Sequence, residues 1–306
     1  MFHYIVRRML TIFPLLLGVI TIAFFLMHLI PGDPAEALAP PEAPYSAIEK
    51  LRHELGLDRP LYVQYITYLS RVVHGDLGTS IVRKGPVLNE IGSRFPATVQ
   101  LAVSGMLVAV TIGIPAGIVA ALKRNSLVDH ISMIFSWIGT AMPAFLLGLL
   151  LMLVFGVRLK WLPLFGRGGI RHLILPAITL GTYSTAVIAR MLRASIVEIM
   201  SKDYITTARA KGLSSTIVVF KHILKNALIP TVTVVGLQLG YMLGGAVVTE
   251  TIFAWPGVGR YAVLALFARD IPVIQGVVIL MATIFTLTNL AVDVSYGFLD
   301  PRITYD

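Results

Sequence analysis

Six stretches of the chain contain no Asp, Glu, Lys or Arg and are continuously apolar. They cover residues 9–30, 97–122, 131–157, 173–189, 227–249 and 271–292. Each is close to or longer than the roughly 20 residues that a helix needs to cross a hydrocarbon core about 30 Å thick. The stretches also lack the polar–apolar alternation of barrel strands. The pattern therefore predicts an all-α membrane protein with six transmembrane helices.

The first stretch, residues 9–30, predicts a retained helix rather than a cleaved signal, because its 22 residues exceed the length of a signal core. Arg7 and Arg8 directly precede it, and no basic residue follows until Lys50. Since Lys and Arg concentrate on the cytoplasmic side of membrane helices, this asymmetry predicts a cytoplasmic N-terminus. Six crossings then place the C-terminus on the same side.

The composition agrees with a membrane protein: 56% of the residues are hydrophobic and only 13% are charged. The net charge of +9 is explained by basic residues beside membrane helices and anionic lipid, so we expect no nucleic-acid partner. The absence of Cys excludes disulfides, thiolate metal sites and a cysteine nucleophile. The phosphate-binding pattern G-x-x-x-x-G-K-[ST] is also absent, so this chain is not expected to hydrolyse ATP.

The segment of residues 31–96 predicts a small helical cap on the extracytoplasmic side. Ser46 and Glu49 have the spacing of a capping box, and Gly56 is a suitable helix end. A second helix is predicted from Pro60 to Val73. One face of it is apolar and is expected to pack on the spans, through Leu61, Tyr65, Tyr68 and Leu69.

The cytoplasmic segment of residues 193–229 predicts a short helix, a glycine turn and a second helix that enters the fifth span. Ser201 is a suitable N-cap, Asp203 suits a helix N-terminus and Gly212 suits a helix end. Ser214 or Ser215 then caps a helix that continues to Pro230. The first helix mixes small and cationic residues, which predicts a docking helix; an interfacial helix resting on anionic lipid is the alternative.

Polar residues within the spans offer little chemistry. Every charged residue lies outside the six stretches, which argues against an ion-coupled carrier, because such carriers need ionisable residues near the membrane midplane. No histidine pair has the spacing of a metalloprotease. Structural roles are therefore expected for Glu250, for Asp293 with Asn289, and for His28. Four prolines interrupt the spans and predict kinks: Pro115, Pro143, Pro176 and Pro230.

Two motifs in the cytoplasmic segment resemble the EAA loop of binding-protein-dependent ABC importer permeases, in particular the dipeptide, oligopeptide and nickel branch. They are residues 203–213, Asp-Tyr-Ile-Thr-Thr-Ala-Arg-Ala-Lys-Gly-Leu, and residues 222–230, His-Ile-Leu-Lys-Asn-Ala-Leu-Ile-Pro. Further motifs resemble the first permease subunit of that branch, at residues 30–34, 54–61, 74–78, 249–260 and 300–303. The chain departs from the general importer pattern in having Thr206 where that pattern has an acidic residue, and in a longer distance from Gly212 to Pro230.

The resemblance implies a translocation subunit of the prokaryotic plasma (inner) membrane. Residues 1–30 would form the N-terminus and first helix, residues 31–96 the extracytoplasmic segment, and residues 97–306 a five-helix core. The implied partners are a second, homologous permease, two ATPase subunits that bind ATP and Mg²⁺, and an extracytoplasmic binding protein. The residues implied to transmit ATPase motion are Asp203, Tyr204, Thr206, Thr207, Ala208, Arg209, Lys211 and Gly212.

The resemblance leaves the substrate open among dipeptides, oligopeptides, glutathione and nickel chelates. We expect peptides, because no His or Cys cluster suggests metal handling. The sequence does not identify the residues that line the substrate pathway. A self-sufficient channel or secondary carrier is the alternative from another class. We also expect Gly212 to set the angle between the two cytoplasmic helices, so that Gly212→Pro would uncouple ATP hydrolysis from uptake.

Overall fold

The computed structural model describes residues 2–29, 35, 44–54 and 56–299, and within these ranges the regular secondary structure is helical apart from one antiparallel bridge between Thr79 and Pro86. The helices that precede the cytoplasmic segment are α1 (Phe2–Leu29), α2 (Tyr45–Glu54), α3 (Leu61–Val73), α4 (Val87–Leu122), α5 (Leu127–Ala141), α6 (Ala144–Leu151) and α7 (Ile170–Met200). Those that follow are α8 (Asp203–Ala210), α9 (Ser215–Ile217), α10 (Lys225–Gly245), α11 (Val247–Ile252), α12 (Val258–Phe267) and α13 (Ile271–Leu299). Two seven-residue π-helices extend them: Met152–Arg158 continues α6, and Val218–Leu224 joins α9 to α10.

Four long apolar helices could each cross a membrane: α4, α7, the continuous helix Ser215–Gly244 and α13. The 28-residue α1 has a shorter apolar part, Met9–Phe25. It runs antiparallel to α13, because Ala23 accepts a hydrogen bond from Gln275 at 2.8 Å while the earlier Ile20 packs with the later Ile279. The axis of α1 therefore lies along the axes of the core spans.

The third apolar stretch is bent by 105° at Pro143, between α5 and α6. A bend of this size leaves two possibilities, a broken span or a loop that returns to the same side. Contacts with α7 distinguish these two possibilities. Successive residues of the bent pair contact successively earlier residues of α7, from its C-terminal part to its N-terminal part. The contacting pairs are Asp129 with Arg193, Gly139 with Ala186, Gly148 with Thr179, and Met152 with Leu175.

Arg193 and Leu175 are 18 residues apart on one helix, or about 27 Å at 1.5 Å per residue. This distance matches the thickness of a hydrocarbon core. The bent pair therefore begins at one membrane surface and ends at the other, as a broken span. With α1, the described helices make six passages, and the first and last described residues, Phe2 and Leu299, lie on the side of α8. The expected all-α membrane fold is confirmed.

The other three prolines lie inside continuous helices, Pro115 in α4, Pro176 in α7 and Pro230 in α10. Pro143 alone among these four separates two helices, since it immediately precedes α6 and has an extended conformation (φ −60°, ψ 135°). The expectation of an ordinary kink is therefore wrong at Pro143. A proline lacks the N–H that would continue the helix, and here no neighbouring turn restores the helical direction.

The helices α4 and α7 form the centre of the bundle and approach each other closely at glycines. A Cβ atom built on Gly181 would lie 2.5 Å from the carbonyl oxygen of Gly105, and one on Gly117 would lie 2.7 Å from that of Ala189. Any larger residue would push the two backbones apart. Small residues thus bring these spans into backbone contact, which is a common way for membrane helices to pack.

On the side opposite α8, the expected cap helices are present and their boundaries are shifted. The helix α2 begins at Tyr45, so Ser46 lies inside its first turn, and the predicted capping box at Ser46 is wrong. The helix α3 follows Pro60 as predicted. Its Tyr65 hydroxyl lies 2.7 Å from Thr21 Oγ1 of α1, and Tyr68 and Leu69 pack beside Ile20, whereas Leu61 is exposed.

A buried carboxylate ties the segment after α3 to the core. Asp270 accepts hydrogen bonds from Ser80 Oγ at 2.5 Å and from the backbone amides of Ile81 and Val82 at 3.1 and 3.2 Å. The helix α4 then begins at Val87, so the predicted boundary at residue 96 falls inside it. The motif residues 30–34, Leu55 of the 54–61 motif and residues 300–303 lie outside the described residues.

Candidate functional site

The helix α8 lies across the ends of several spans and is held there by two buried side chains. Ile205 is fully buried and Ala208, one turn later, is also buried, in a cluster with the ends of α4, α7 and α10. The neighbours of Ile205 in this cluster are Ala121, Leu192, Ile196, Val218, Ile223, Leu224 and Ala227. Because eight residues form a marginal helix by themselves, this packing must supply most of the rigidity of α8.

The helix α8 ends in a left-handed glycine. Gly212 has φ +74°, and its N–H donates to the carbonyl oxygen of Arg209 at 2.9 Å. No heavy atom lies within 4 Å of a Cβ built at this position, so the requirement for glycine comes from the backbone conformation and not from crowding. Gly212 therefore fixes the direction in which the chain leaves α8, as predicted for a helix end.

The second helix of this segment is continuous with the fifth span. It begins after Ser214, passes through the π-helix Val218–Leu224 and continues past Pro230 to the far side of the bundle. This helix therefore enters the fifth span directly, as predicted, and Pro230 lies inside it and not at its end. Ser201 does not cap α8 either: it ends α7, and its hydroxyl donates to the carbonyl oxygen of Glu198 at 2.7 Å, which leaves Lys202 at the N-cap position.

The predicted coupling residues fall into an exposed group and one buried member. Asp203, Tyr204, Thr206, Thr207, Arg209, Lys211 and Gly212 are exposed. Ala208 instead faces the bundle, one turn after Ile205, so it does not belong to the exposed group. The helical period explains this, because residues 205 and 208 share one face and the residues around them take the other. Ile205, which sequence reasoning left out, is the main anchor.

Exposed apolar side chains follow the exposed face of α8. Leu213, Ile217 and Phe220 follow it in the sequence, and Phe220 is 68% exposed. The same segment of the chain carries four exposed cations, namely Arg209, Lys211, Lys221 and Lys225. An exposed apolar patch bordered by polar residues is characteristic of a protein interface. The helix α8 and its neighbours thus form a mixed apolar and cationic surface outside the bundle.

An ion pair stabilises the bundle next to this surface. Arg193 of α7 donates two hydrogen bonds to the carboxylate of Asp129 at the start of α5, each at 2.6 Å. The Asp129 side chain is almost fully buried. Asp129 also accepts from the backbone N–H of Asn125 at 3.0 Å. Two spans are therefore clamped together close to the end of α7 that leads into α8.

A second group of polar residues lies in the middle of the bundle, where the sequence identified no site. Gln238 of α10 donates from Nε2 to Ser184 Oγ of α7 at 3.1 Å, and the two residues are 8% and 3% exposed. Tyr183 and Tyr241 flank them and are 54% and 69% exposed. All four lie within three residues of the centres of the uncharged stretches 173–189 and 227–249. They therefore lie near the membrane midplane.

These residues border a cavity of about 280 Å³ that is also lined by Ala144 and Phe145, directly after the break at Pro143. Polar side chains at the midplane are expensive in contact with lipid, so they normally face protein or water-filled space. Interrupted spans occur at such cavities, where freed backbone groups find other partners. Exposed tyrosines, a buried amide and a broken span thus converge on one face of α7 and α10. The signal in the sequence was weak, because uncharged polar residues are common in spans.

The individually assessed polar residues have structural partners. Glu250 is fully buried, accepts from Thr98 Oγ1 at 2.7 Å and from the backbone N–H of Arg260 at 2.9 Å, and so organises the turn before α12. His28 lies 3.3 Å from Gln64 Oε1 of α3, at the boundary between the spans and the cap. Asn289 Oδ1 is buried without a hydrogen-bond partner, so the expected pair with Asp293 is not formed through this atom. In the part of the chain that the structure describes, no cluster of His, Asp or Glu has the arrangement of a metal site.

Two family descriptions cover nearly the whole chain. Residues 113–305 match the family described as "Binding-protein-dependent transport system inner membrane component". Residues 1–102 match the corresponding N-terminal family, "Binding-prot-dependent transport system membrane comp, N-term".

Relatives and solved structures agree with this match. The chain is 48% identical over 305 residues to the glutathione transport system permease protein GsiC of Escherichia coli strain K12, covering 100% of both chains. The protein of the same name from Shigella dysenteriae serotype 1 has the same identity and coverage. Among solved structures, the inward-facing MetNI methionine ABC transporter has a TM-score of 0.60 at 19% identity, covering 69% of this chain and 96% of that chain. That likeness concerns the fold alone.

Proposed function

The chain belongs to the family of binding-protein-dependent transport system inner membrane components, and from that membership we propose that it translocates small peptides, with glutathione among them. It is a multi-pass membrane permease subunit of an ABC importer. The observation that carries the choice of substrate is the 48% identity, over the full length of both chains, to permeases named for glutathione transport. Glutathione is a tripeptide, so this identity agrees with the peptide class expected from the sequence.

The midplane cavity supports a peptide pathway. Its hydrogen-bonding side chains include the phenol of Tyr241, the amide of Gln238 and the hydroxyl of Ser184, and none of the lining side chains is charged. Uncharged donors and acceptors suit the peptide bonds that every peptide shares, whatever its side chains. A nickel chelate would gain nothing specific from these groups, since nickel prefers imidazole and other strong ligands. We place the substrate pathway along this face of α7 and α10.

The energy for transport enters at α8. In this proposal two ATPase subunits bind ATP and Mg²⁺, and each permease presents its α8 surface to one of them. The cations around α8 would meet acidic groups at the edge of the ATPase groove, and Phe220 and Ile217 would fill its apolar part. Because Ile205 and Ala208 anchor α8 to the ends of three spans, a displacement of α8 would move those spans together.

The remaining parts of the assembly follow from this arrangement. A second, homologous permease covers the exposed face of α7 and α10, and an extracytoplasmic binding protein delivers the substrate on the side of the cap. The α8 side is cytoplasmic, as are both ends of the chain. Arg7 and Arg8 lie in the first part of α1, directly before its apolar stretch, and support this orientation.

Uptake into proteoliposomes tests the function. The purified four-subunit complex is reconstituted with the binding protein outside and ATP inside, and uptake of labelled glutathione and of labelled dipeptide is measured. We expect ATP-dependent uptake of both, competed by unlabelled peptides and not by nickel chelates. ATP-dependent nickel uptake without peptide uptake would refute the choice of substrate. Peptide uptake by this chain alone, without ATP, would establish the secondary carrier instead.

A further inference from the structure

A cleft separate from the midplane cavity lies at the opposite end of the molecule from α8. Its volume is about 570 Å³, within the range of small-molecule sites. It lies between α3, the turn of residues 76–84 and the first turn of α13. Phe24, near the end of α1, also lines it. The cleft therefore lies at the membrane surface that we assign to the extracytoplasmic side.

Charged side chains form the rim of this cleft. Arg59, Arg71 and Lys84 line it together with one carboxylate, that of Asp76. Within the described ranges of the chain, none of these three cations forms an ion pair. By contrast, Arg94, on the nearby start of α4, lies 2.7 Å from the carboxylate of Glu90.

The lone carboxylate on the rim also keeps capacity for a ligand. Asp76 Oδ1 accepts a hydrogen bond from the backbone N–H of Gly78 at 2.9 Å, which orients the side chain. Its other oxygen has no hydrogen bond in the described structure. Among the described residues, the rim therefore combines three cations that form no ion pair with one oriented anion, and this arrangement matches a ligand that carries both charges.

The floor of the cleft is partly polar although it is shielded from water. Gln275 is 7% exposed and is held by the hydrogen bond from its Nε2 to Ala23, and Ser80 is 1% exposed. The Tyr68 hydroxyl in the wall is buried without a hydrogen-bond partner. Burial raises the pKa of Tyr68 to about 12, so the phenol stays protonated. Ile271 and Pro272 supply apolar surface between these groups.

We propose that this cleft is an entry site for the transported peptide, which binds as a zwitterion with its carboxylates toward Arg59, Arg71 and Lys84 and its ammonium group toward Asp76. The proposal rests on peptides being the substrate. An anionic phospholipid such as phosphatidylglycerol fits less well, because it brings a phosphate and an apolar tail but no cation for Asp76. Carboxylate contacts with arginine are strong and geometrically selective.

The test measures equilibrium binding of a radiolabelled dipeptide to the complete complex, without ATP or binding protein, in nanodiscs of phosphatidylcholine. Unmodified dipeptide is compared with its C-terminal amide on the wild-type complex. The double variant Arg59→Gln/Arg71→Gln is then compared with Arg171→Gln, an exposed cation at the start of α7 that does not line the cleft. We expect the amide and the double variant each to weaken binding by about tenfold, and the control to leave it unchanged.

Equal binding of the peptide and its amide would overturn the proposal, as would equal binding by the wild type and the double variant. A tightly held anionic lipid, seen by native mass spectrometry and lost in the double variant, would overturn it in favour of a lipid site. Uptake assays on the same samples separate the two proposals. Absence of peptide uptake by the wild type refutes the proposed function. Normal wild-type uptake, with the same KM in the double variant, refutes the entry site alone.

Discussion

Replacing Ile205 tests whether α8 must be rigid to transmit motion. Its side chain is fully buried against the ends of the spans, so Ile205→Ala removes three carbons and leaves a cavity. Such a substitution costs about 2–5 kcal/mol, and Ile205→Val about 0.5–1.5 kcal/mol. Because α8 has only eight residues, we expect most of this cost to appear as local unfolding of α8 and not of the whole protein. At about 1.4 kcal/mol per factor of ten, local opening would increase from about 30-fold to several thousand-fold in Ile205→Ala.

Two measurements on the reconstituted complex check this reasoning. Hydrogen exchange at the amides of residues 205–212 reports the opening of α8, and the ratio of peptide imported to ATP hydrolysed reports coupling. We expect faster exchange and a lower ratio in Ile205→Ala, with Ile205→Val intermediate. Thr206→Ala, on the exposed face of the same helix, is the matched control for rigidity and should leave exchange nearly unchanged. Faster exchange with an unchanged coupling ratio would show that transport does not need a rigid α8.

Two further predictions concern the backbone and the charges near α8. Because Gly212 has a positive φ, Gly212→Ala should destabilise the end of α8 by about 1–2 kcal/mol, and Gly212→Asn by less. Gly212→Pro should uncouple ATP hydrolysis from uptake, since proline fixes φ near −65°. Equal coupling ratios in all three variants would contradict the assigned role of the turn. Arg193→Gln should destabilise the purified complex by about 2–3 kcal/mol, because it leaves the Asp129 carboxylate buried without its partner. This loss is smaller than that expected for breaking a fully buried ion pair, because Arg193 is partly exposed. Thermal unfolding should show that adding Asp129→Asn recovers part of this loss, and a further loss in the double variant would refute the pairing.

Features that depend on local sequence were predictable. The uncharged stretches correspond to helices because their length and composition permit few other structures in a membrane. The helix after Pro60 and the end of α8 at Gly212 follow from the backbone preferences of proline and glycine, which act without tertiary contacts. The exposed residues of α8 were identified from a motif. Distinguishing them from the buried Ile205 and Ala208 required knowing which face of α8 packs against the bundle.

Features that depend on distant contacts were not predictable. The pair of Asp129 and Arg193 joins residues 64 positions apart, and neither is unusual in its own segment. Pro143 has the same local effect as the other prolines, and only the packing of α6 against α7 turns it into a 105° bend. Ser201 shows the opposite case, in which a local signal was misleading. The turn between α7 and α8 is short, and Ser201 ends α7 while Lys202 takes the N-cap position of α8.

One continuous helix connects the α8 surface, where we propose that the ATPase docks, with the midplane cavity, and this bears on how transport would be driven. Leu224, in the cluster that holds Ile205, and Gln238 lie on the helix Ser215–Gly244 and are 14 residues apart, or about 21 Å. A helix transmits displacement along its axis without needing a chain of side-chain contacts. The π-helical segment Val218–Leu224 and Pro230 are the two places where its hydrogen bonding departs from the regular pattern. Movement at α8 should therefore reach Gln238 and Tyr241 as a shift of the whole helix, with any bending confined to these two places.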